Sequence, residues 1–148
     1  MSPDLTTCTF SGHVAITVEV TEENEALVLN AIDLEVEAAT IDGAAVATGL
    51  DPETERLTLT ADRPLSIGEH VVNASFSGVI NDLLRGLYRS TFTDSDGNDR
   101  VIATTQMQAT DCRRVFPCWD EPEAKATFGI TLVVDDTLVA VSNGAEIA

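Results

Sequence analysis

Apolar and polar residues alternate along most of this chain. From Phe10 to Val20, FSGHVAITVEV sets Val14, Ile16, Val18 and Val20 on one face and His13, Ala15, Thr17 and Glu19 on the other. A period of two held over that length predicts a half-buried β-strand. The polar run TEENEA from Thr21 predicts a turn, after which LVLNA and LEVEAATI resume the alternation, with Leu34, Val36 and Ala38 sharing a face. Asp42-Gly43 then marks a tight turn. RLTLTA from Arg56 and HVVNASFSGVI from His70 predict two more strands, the second with Val72, Ala74 and Phe76 inward, and Pro64 and Gly68 break the chain between them. VIATTQMQA from Val101 is a further candidate, and ATFGITLVV, with Phe128, Ile130, Leu132 and Val134 in step, is the clearest late one.

Turn signals recur at the roughly 8 to 12 residue spacing of antiparallel sandwiches and barrels. Only two short helical candidates break the pattern: one turn near Ala109 to Arg114, with Thr110 or Asp111 as cap, and a piece covering Glu121 to Ala126. There is no internal repeat or low-complexity tract. Residues 1–148 therefore predict one all-β unit, and 44% hydrophobic residues suffice for a real core.

Charge changes the picture of partners. Eight basic residues, with Lys125 the sole lysine, stand against 25 acidic ones, for a formal charge of -17. Such a polyanion repels phosphate backbones and anionic lipid heads, so nucleic acid and membrane are excluded as partners, and a cationic ligand would be steered inward. Most of the charge reads as solvated surface. No apolar run approaches the ~20 residues of a membrane span. The start MSPDLTTCTF lacks the regions of a signal peptide. Cys8, Cys112 and Cys118 are too few for a disulfide scaffold and cannot all pair, so reduced thiols in a cytoplasmic setting are expected.

Candidate chemistry is sparse. His13 and His70 lie far from Cys112 and Cys118 in sequence, the cysteine spacing is not that of a zinc knuckle, and H-E-x-x-H is absent. No metal site is expected from this chain alone. In DSDGND, Asp94, Asp96 and Asn98 mimic the first positions of a calcium loop, but the glycine is misplaced and Thr105 stands where a bidentate Glu belongs. A hairpin tip explains that run better. No G-x-S-x-G is present, and neither Cys112 nor Cys118 has a histidine near it in sequence to act as base.

The run TTQMQATDCRRVFPCWDEP, Thr104 to Pro122, remains. Strand alternation through TTQMQA puts Gln106 and Gln108 on one side, about 7 Å apart along the strand, with Met107 opposite. Two adjacent amides form a hydrogen-bonding edge that offers acceptors and donors to a ligand. Arg113 and Arg114 stand close in sequence to Asp111, Asp120 and Glu121, which predicts arginine forks satisfying carboxylates of the loop. Pro117 and Pro122 stiffen it.

GLYRSTF at Gly86 to Phe92, followed by TTQMQATDCRRVFPCWDEPEAKATFGITL, resembles the N-terminal domain of the M1 zinc aminopeptidases, the family of aminopeptidase N. The family pattern runs G-[FL]-Y-R-S, a hairpin, T-Q-x-[EQ]-A-T-x-A-R-x-x-F-P-C-x-D-E-P and K-A-x-F. The resemblance covers most of the chain and departs from the pattern at Cys112, where alanine is usual. It implies a saddle-shaped antiparallel β-sandwich, truncated at both ends, whose exposed strand edges favour self-association. It also implies that Gln106 and Gln108 hold the α-amine of a peptide substrate, and that Arg113, Arg114, Phe116, Pro117, Trp119, Asp120, Glu121 and Pro122 keep the loop in shape. The zinc cofactor of the parent enzyme, its ligands and its general base would belong to the missing catalytic domain, leaving this fragment inactive and without bound zinc. A reading of another class is a noncatalytic β-sandwich that binds protein or carbohydrate, with the motif kept for packing.

Overall fold

The computed structural model describes residues 1–147. Ten strands follow in chain order: β1 (Ser2–Asp4), β2 (Thr9–Val20), β3 (Asn24–Asn30), β4 (Leu34–Ile41), β5 (Ala44–Ala45), β6 (Ala47–Asp51), β7 (Arg56–Leu65), β8 (Gly68–Val79), β9 (Gly86–Thr93) and β10 (Asp99–Gln106). They form antiparallel sheets in the orders β1-β2-β8-β4-β5 and β3-β7-β6, with β9 and β10 as a separate ribbon. Phe10, Leu34, Val72 and Phe76 from the first sheet join Leu29, Leu57 and Leu59 from the second in one buried cluster. Two antiparallel sheets sharing one core make a β-sandwich. Among the described residues no helix is long and apolar enough to cross a membrane.

The alternation of β2 and β8 sets their register. His13, Ala15, Thr17 and Glu19 are exposed, while Val72, Ala74 and Phe76 are buried, as their spacing predicts. Gly12 faces Phe76 across the strands, and Phe10 faces Gly78. A Cβ on Gly12 would stand 2.5 Å from Phe76, and one on Gly78 2.5 Å from Phe10. Each ring thus lies over the bare backbone opposite, which fills the gap that a strand glycine leaves.

Four expectations need correction. In β4 the register shifts between Val36 and Ala38, so Ala38 is exposed while Ala39 and Ile41 take the buried face. An extra residue in a bulge reverses the phase of everything after it, which plain alternation cannot show. Pro64 does not end β7, which runs to Leu65 and pairs there with Asn24 of β3. The segment Ala126 to Val134 is not a strand: Phe128 and Ile130 are 69% and 61% exposed, and among the described residues its backbone hydrogen-bonds only to Met1, through Val133 N to Met1 O and Met1 N to Thr131 O. Alternation makes a strand only where a sheet edge and a face to bury against are both present. Finally, Glu121 to Ala126 holds a turn rather than a helix.

Candidate functional site

β10 ends at Gln106, opposite Gly86, the first residue of β9. Gly86 has φ +62, so the chain turns there and offers nothing further to pair. The predicted strand through Ala109 is therefore shorter, and Gln108 lies beyond it. The alternation survives even so: Gln106 and Gln108 are exposed, and Met107 packs against the core. The Gln108–Ala109 peptide bond is cis. Among the described residues neither glutamine amide has a hydrogen-bond partner, so both present free acceptors and donors.

The chain then closes a turn, Asp111 N to Met107 O at 3.0 Å, and enters a single 3-10 turn, Cys112–Arg114. Asp111 precedes that turn but does not cap it with its side chain. Its carboxylate instead accepts from Arg114 Nε at 2.7 Å. Arg113 is 8% exposed. Its Nε and backbone N donate to Asp120 Oδ2 at 3.0 and 3.2 Å, and its Nη1 donates to Glu55 Oε2 at 3.0 Å. Arg114 reaches Asp33, and its Nη2 lies 3.8 Å from Glu55 Oε1. Burial works against the charge of both guanidiniums, but the carboxylates more than offset it, and both stay firmly protonated.

The loop is also sewn to β3. Asn30 N donates to Cys118 O at 2.7 Å, Cys118 N donates to Asn30 O at 3.1 Å, and Asn30 Oδ1 accepts from Asp120 N at 3.2 Å. Val115 and Pro117 are fully buried, while Phe116 and Trp119 pack against the core in part. Arg113, Arg114, Phe116, Pro117, Trp119 and Asp120 are thus brought together. Glu121 and Pro122 are not: both are exposed, and Glu121 forms no ion pair among the described residues. Asn30, Asp33 and Glu55 went unnoticed in the sequence because they sit in turns and strand ends 58 or more residues from the arginines. Asp33 and Glu55 share a local mark, a positive φ of +57 and +55, which Asn30 lacks.

This arrangement is a stiff platform behind two free amides. The family model for the Peptidase M1 N-terminal domain matches residues 1–148. The chain belongs to that family. It is 43% identical over 146 residues to "Aminopeptidase M1-C" of Oryza sativa subsp. japonica, covering 97% of this chain and 16% of that protein. Against "Aminopeptidase M1" of Arabidopsis thaliana it is 43% identical over 152 residues, covering 97% of this chain and 17% of that protein. "Aminopeptidase 2" of Candida albicans is 40% identical over 140 residues, 93% of this chain and 15% of that protein. This M1 N-terminal domain therefore spans about one-sixth of the length of the curated relatives it matches.

Among the described residues neither histidine of this M1 domain is placed to serve a peptidase zinc centre. His13 Nε2 lies 3.2 Å from Asn73 Oδ1 on the strand surface. His70 is buried between Asp42 Oδ2 at 2.7 Å and Ser66 O at 2.8 Å. Asp94, the first residue of the calcium-like run, accepts from Asp96 N, Asn98 N and Arg100 Nε at 3.0, 2.9 and 2.8 Å. Those bonds, Arg100 foremost, hold its carboxyl below the usual range and make the run a hairpin tip.

Proposed function

We propose that this domain presents Gln106 and Gln108 to the free α-amine of a peptide substrate, as the N-terminal part of a zinc aminopeptidase. The observation that carries this reading is the pair of exposed, unpartnered amides beside inward-packed Met107, ahead of a loop pinned by buried Arg113 and partly buried Arg114. Each Oε1 can accept one N–H of an ammonium, and the pinned loop limits how far the pair can drift. A neutral acceptor contributes about 1 kcal/mol, against about 1.5 to 3 for a carboxylate. Most of the amine's charge thus falls to acidic groups elsewhere in the whole enzyme.

In that enzyme the zinc ion, held outside these residues, would supply the activated water that attacks the scissile carbonyl. The domain alone is expected to hydrolyse nothing, and its partner is the catalytic domain of the same longer chain, as its one-sixth share of the relatives supports. Three free thiols favour a reducing, cytoplasmic setting.

The test is made in the full-length enzyme. Gln106→Ala should lower kcat/KM about fivefold, the equivalent of one neutral hydrogen bond of about 1 kcal/mol. Gln108→Glu should change kcat/KM for peptides with a free α-amine and leave binding of amine-blocked peptides unaltered. Unchanged kcat/KM in both variants would overturn the amine contact.

A further inference from the structure

The 3-10 turn begins with a thiol that the site above does not use. Cys112 Sγ, Cys118 Sγ and a carboxylate oxygen of Asp120 all lie within 4.8 Å of one another. Both cysteines are partly exposed, and neither is in a disulfide. Six positions of chain separate them, yet the turn folds that chain back on itself while the Asn30 bonds hold the far end. The two sulfurs therefore face each other across a closed, rigid loop.

We propose that Cys112 and Cys118 are a thiol–disulfide redox pair that small-molecule disulfides oxidise, with Cys112 the attacking and Cys118 the resolving thiol. The geometry gives them different roles. Cys118 is the more buried thiol and its backbone is bonded to Asn30 through both N and O, so an external disulfide reaches Cys112 first. The closeness of the two sulfurs favours the Cys112 thiolate, and that closeness together with burial pushes the Cys118 thiol upward. Asp120 disfavours thiolate on both, while Arg113 beside them favours it.

In the first step the Cys112 thiolate attacks one sulfur of glutathione disulfide. The S–S bond of the small molecule breaks, a mixed disulfide forms on Cys112, and one glutathione thiolate leaves. Cys118 then gives up its proton to that thiolate and attacks the Cys112 sulfur, releasing the second glutathione. The protein loses two electrons and two protons, and one disulfide becomes two thiols. Closing the bond brings the sulfurs to about 2.05 Å, so one or both side chains must rotate inward. The result ties the first residue of the 3-10 turn to the residue paired with Asn30.

The chain is equilibrated over a series of reduced-to-oxidised glutathione ratios, quenched with an alkylating agent, digested with trypsin and analysed by mass spectrometry. Arg113 and Arg114 lie between the cysteines, so the expected product is Val101–Arg113 cross-linked to Val115–Lys125, with Cys8 alkylated. The cross-link should vanish with dithiothreitol. It should survive Cys8→Ser and be lost in Cys112→Ala, whose circular dichroism reports whether the fold is kept. In that variant Cys118 should stay alkylatable under oxidising ratios. The proposal is overturned if Cys112 and Cys118 remain separately alkylated throughout, or if disulfides through Cys8 predominate. It is also overturned if stoichiometric zinc shields both thiols and prevents the cross-link, which would make Cys112, Cys118 and Asp120 a metal site instead.

Discussion

Arg113 carries the site through what it touches. Its guanidinium joins Asp120 of its own loop to Glu55 in the turn between β6 and β7, and little water reaches either end of the bond to Asp120. Removing one partner of a buried pair leaves the others charged and unpaired, so Arg113→Ala should cost about 3 kcal/mol in urea unfolding. A loss typical of a surface pair, below about 1 kcal/mol, would contradict this account. Gly86 does a quieter job at the other side of the loop. With φ +62 and a would-be Cβ 2.8 Å from the Cβ of Arg114, it has room for hydrogen only. Gly86→Ala should therefore lower stability by at least about 1 kcal/mol, read as a lowered Tm, through both backbone strain and the displaced arginine. Asp111 and Asp120 were legible as arginine partners because they are near in sequence. Glu55 and Asp33 were not, since nothing local says which distant turn a guanidinium will reach.

Among the elements, β8 shows how a strand can carry a switchable link. His70 begins the inward row that continues with Val72, Ala74 and Phe76, and both its ring nitrogens face oxygen acceptors. Both acceptors are satisfied only by a doubly protonated ring. Ser66 O and then Asp42 raise the His70 pKa above its ordinary 6.5, while Val71 N and then His70 lower that of Asp42 below 3.8. A raised histidine stabilises fully below the unfolded value and loses that contribution as pH climbs through the folded one; the lowered aspartate loses its share as pH falls through its folded value. The link between β8, the β4–β5 turn and the β7–β8 turn is thus strongest from about pH 4 to 6.5. Tm should decline from pH 6.5 upward in the native chain, and His70→Asn should flatten that slope. A native slope no steeper than the variant's would show that the link contributes nothing. Periodicity revealed β2 and β8 almost residue for residue, because both faces of those strands meet consistent surroundings. It failed after the β4 bulge, where one extra residue decides which side chains are buried.

At the scale of the molecule, the acidic surface and the late apolar segment oppose each other. The charge of -17 keeps copies apart, while Phe128, Ile130, Val139 and Val141 stand exposed on backbone with few partners. Exposed apolar side chains on unpaired, extended backbone invite pairing with another chain. Light scattering behind size-exclusion chromatography should show self-association that grows as salt screens the charge, and that Phe128→Lys with Ile130→Lys reduces. A monomer at every salt concentration would refute it. The all-β class, most strand positions and the placing of Gln106 and Gln108 outward from Met107 were determined by the sequence alone, since each depends on alternation over neighbouring residues. Tertiary structure alone decided that β10 stops at Gln106, that Asn30, Asp33 and Glu55 hold the arginine loop, and that two thiols six positions apart meet. Those outcomes depend on contacts between segments far apart in the chain, where the partner is chosen by how the sheets pack and turn.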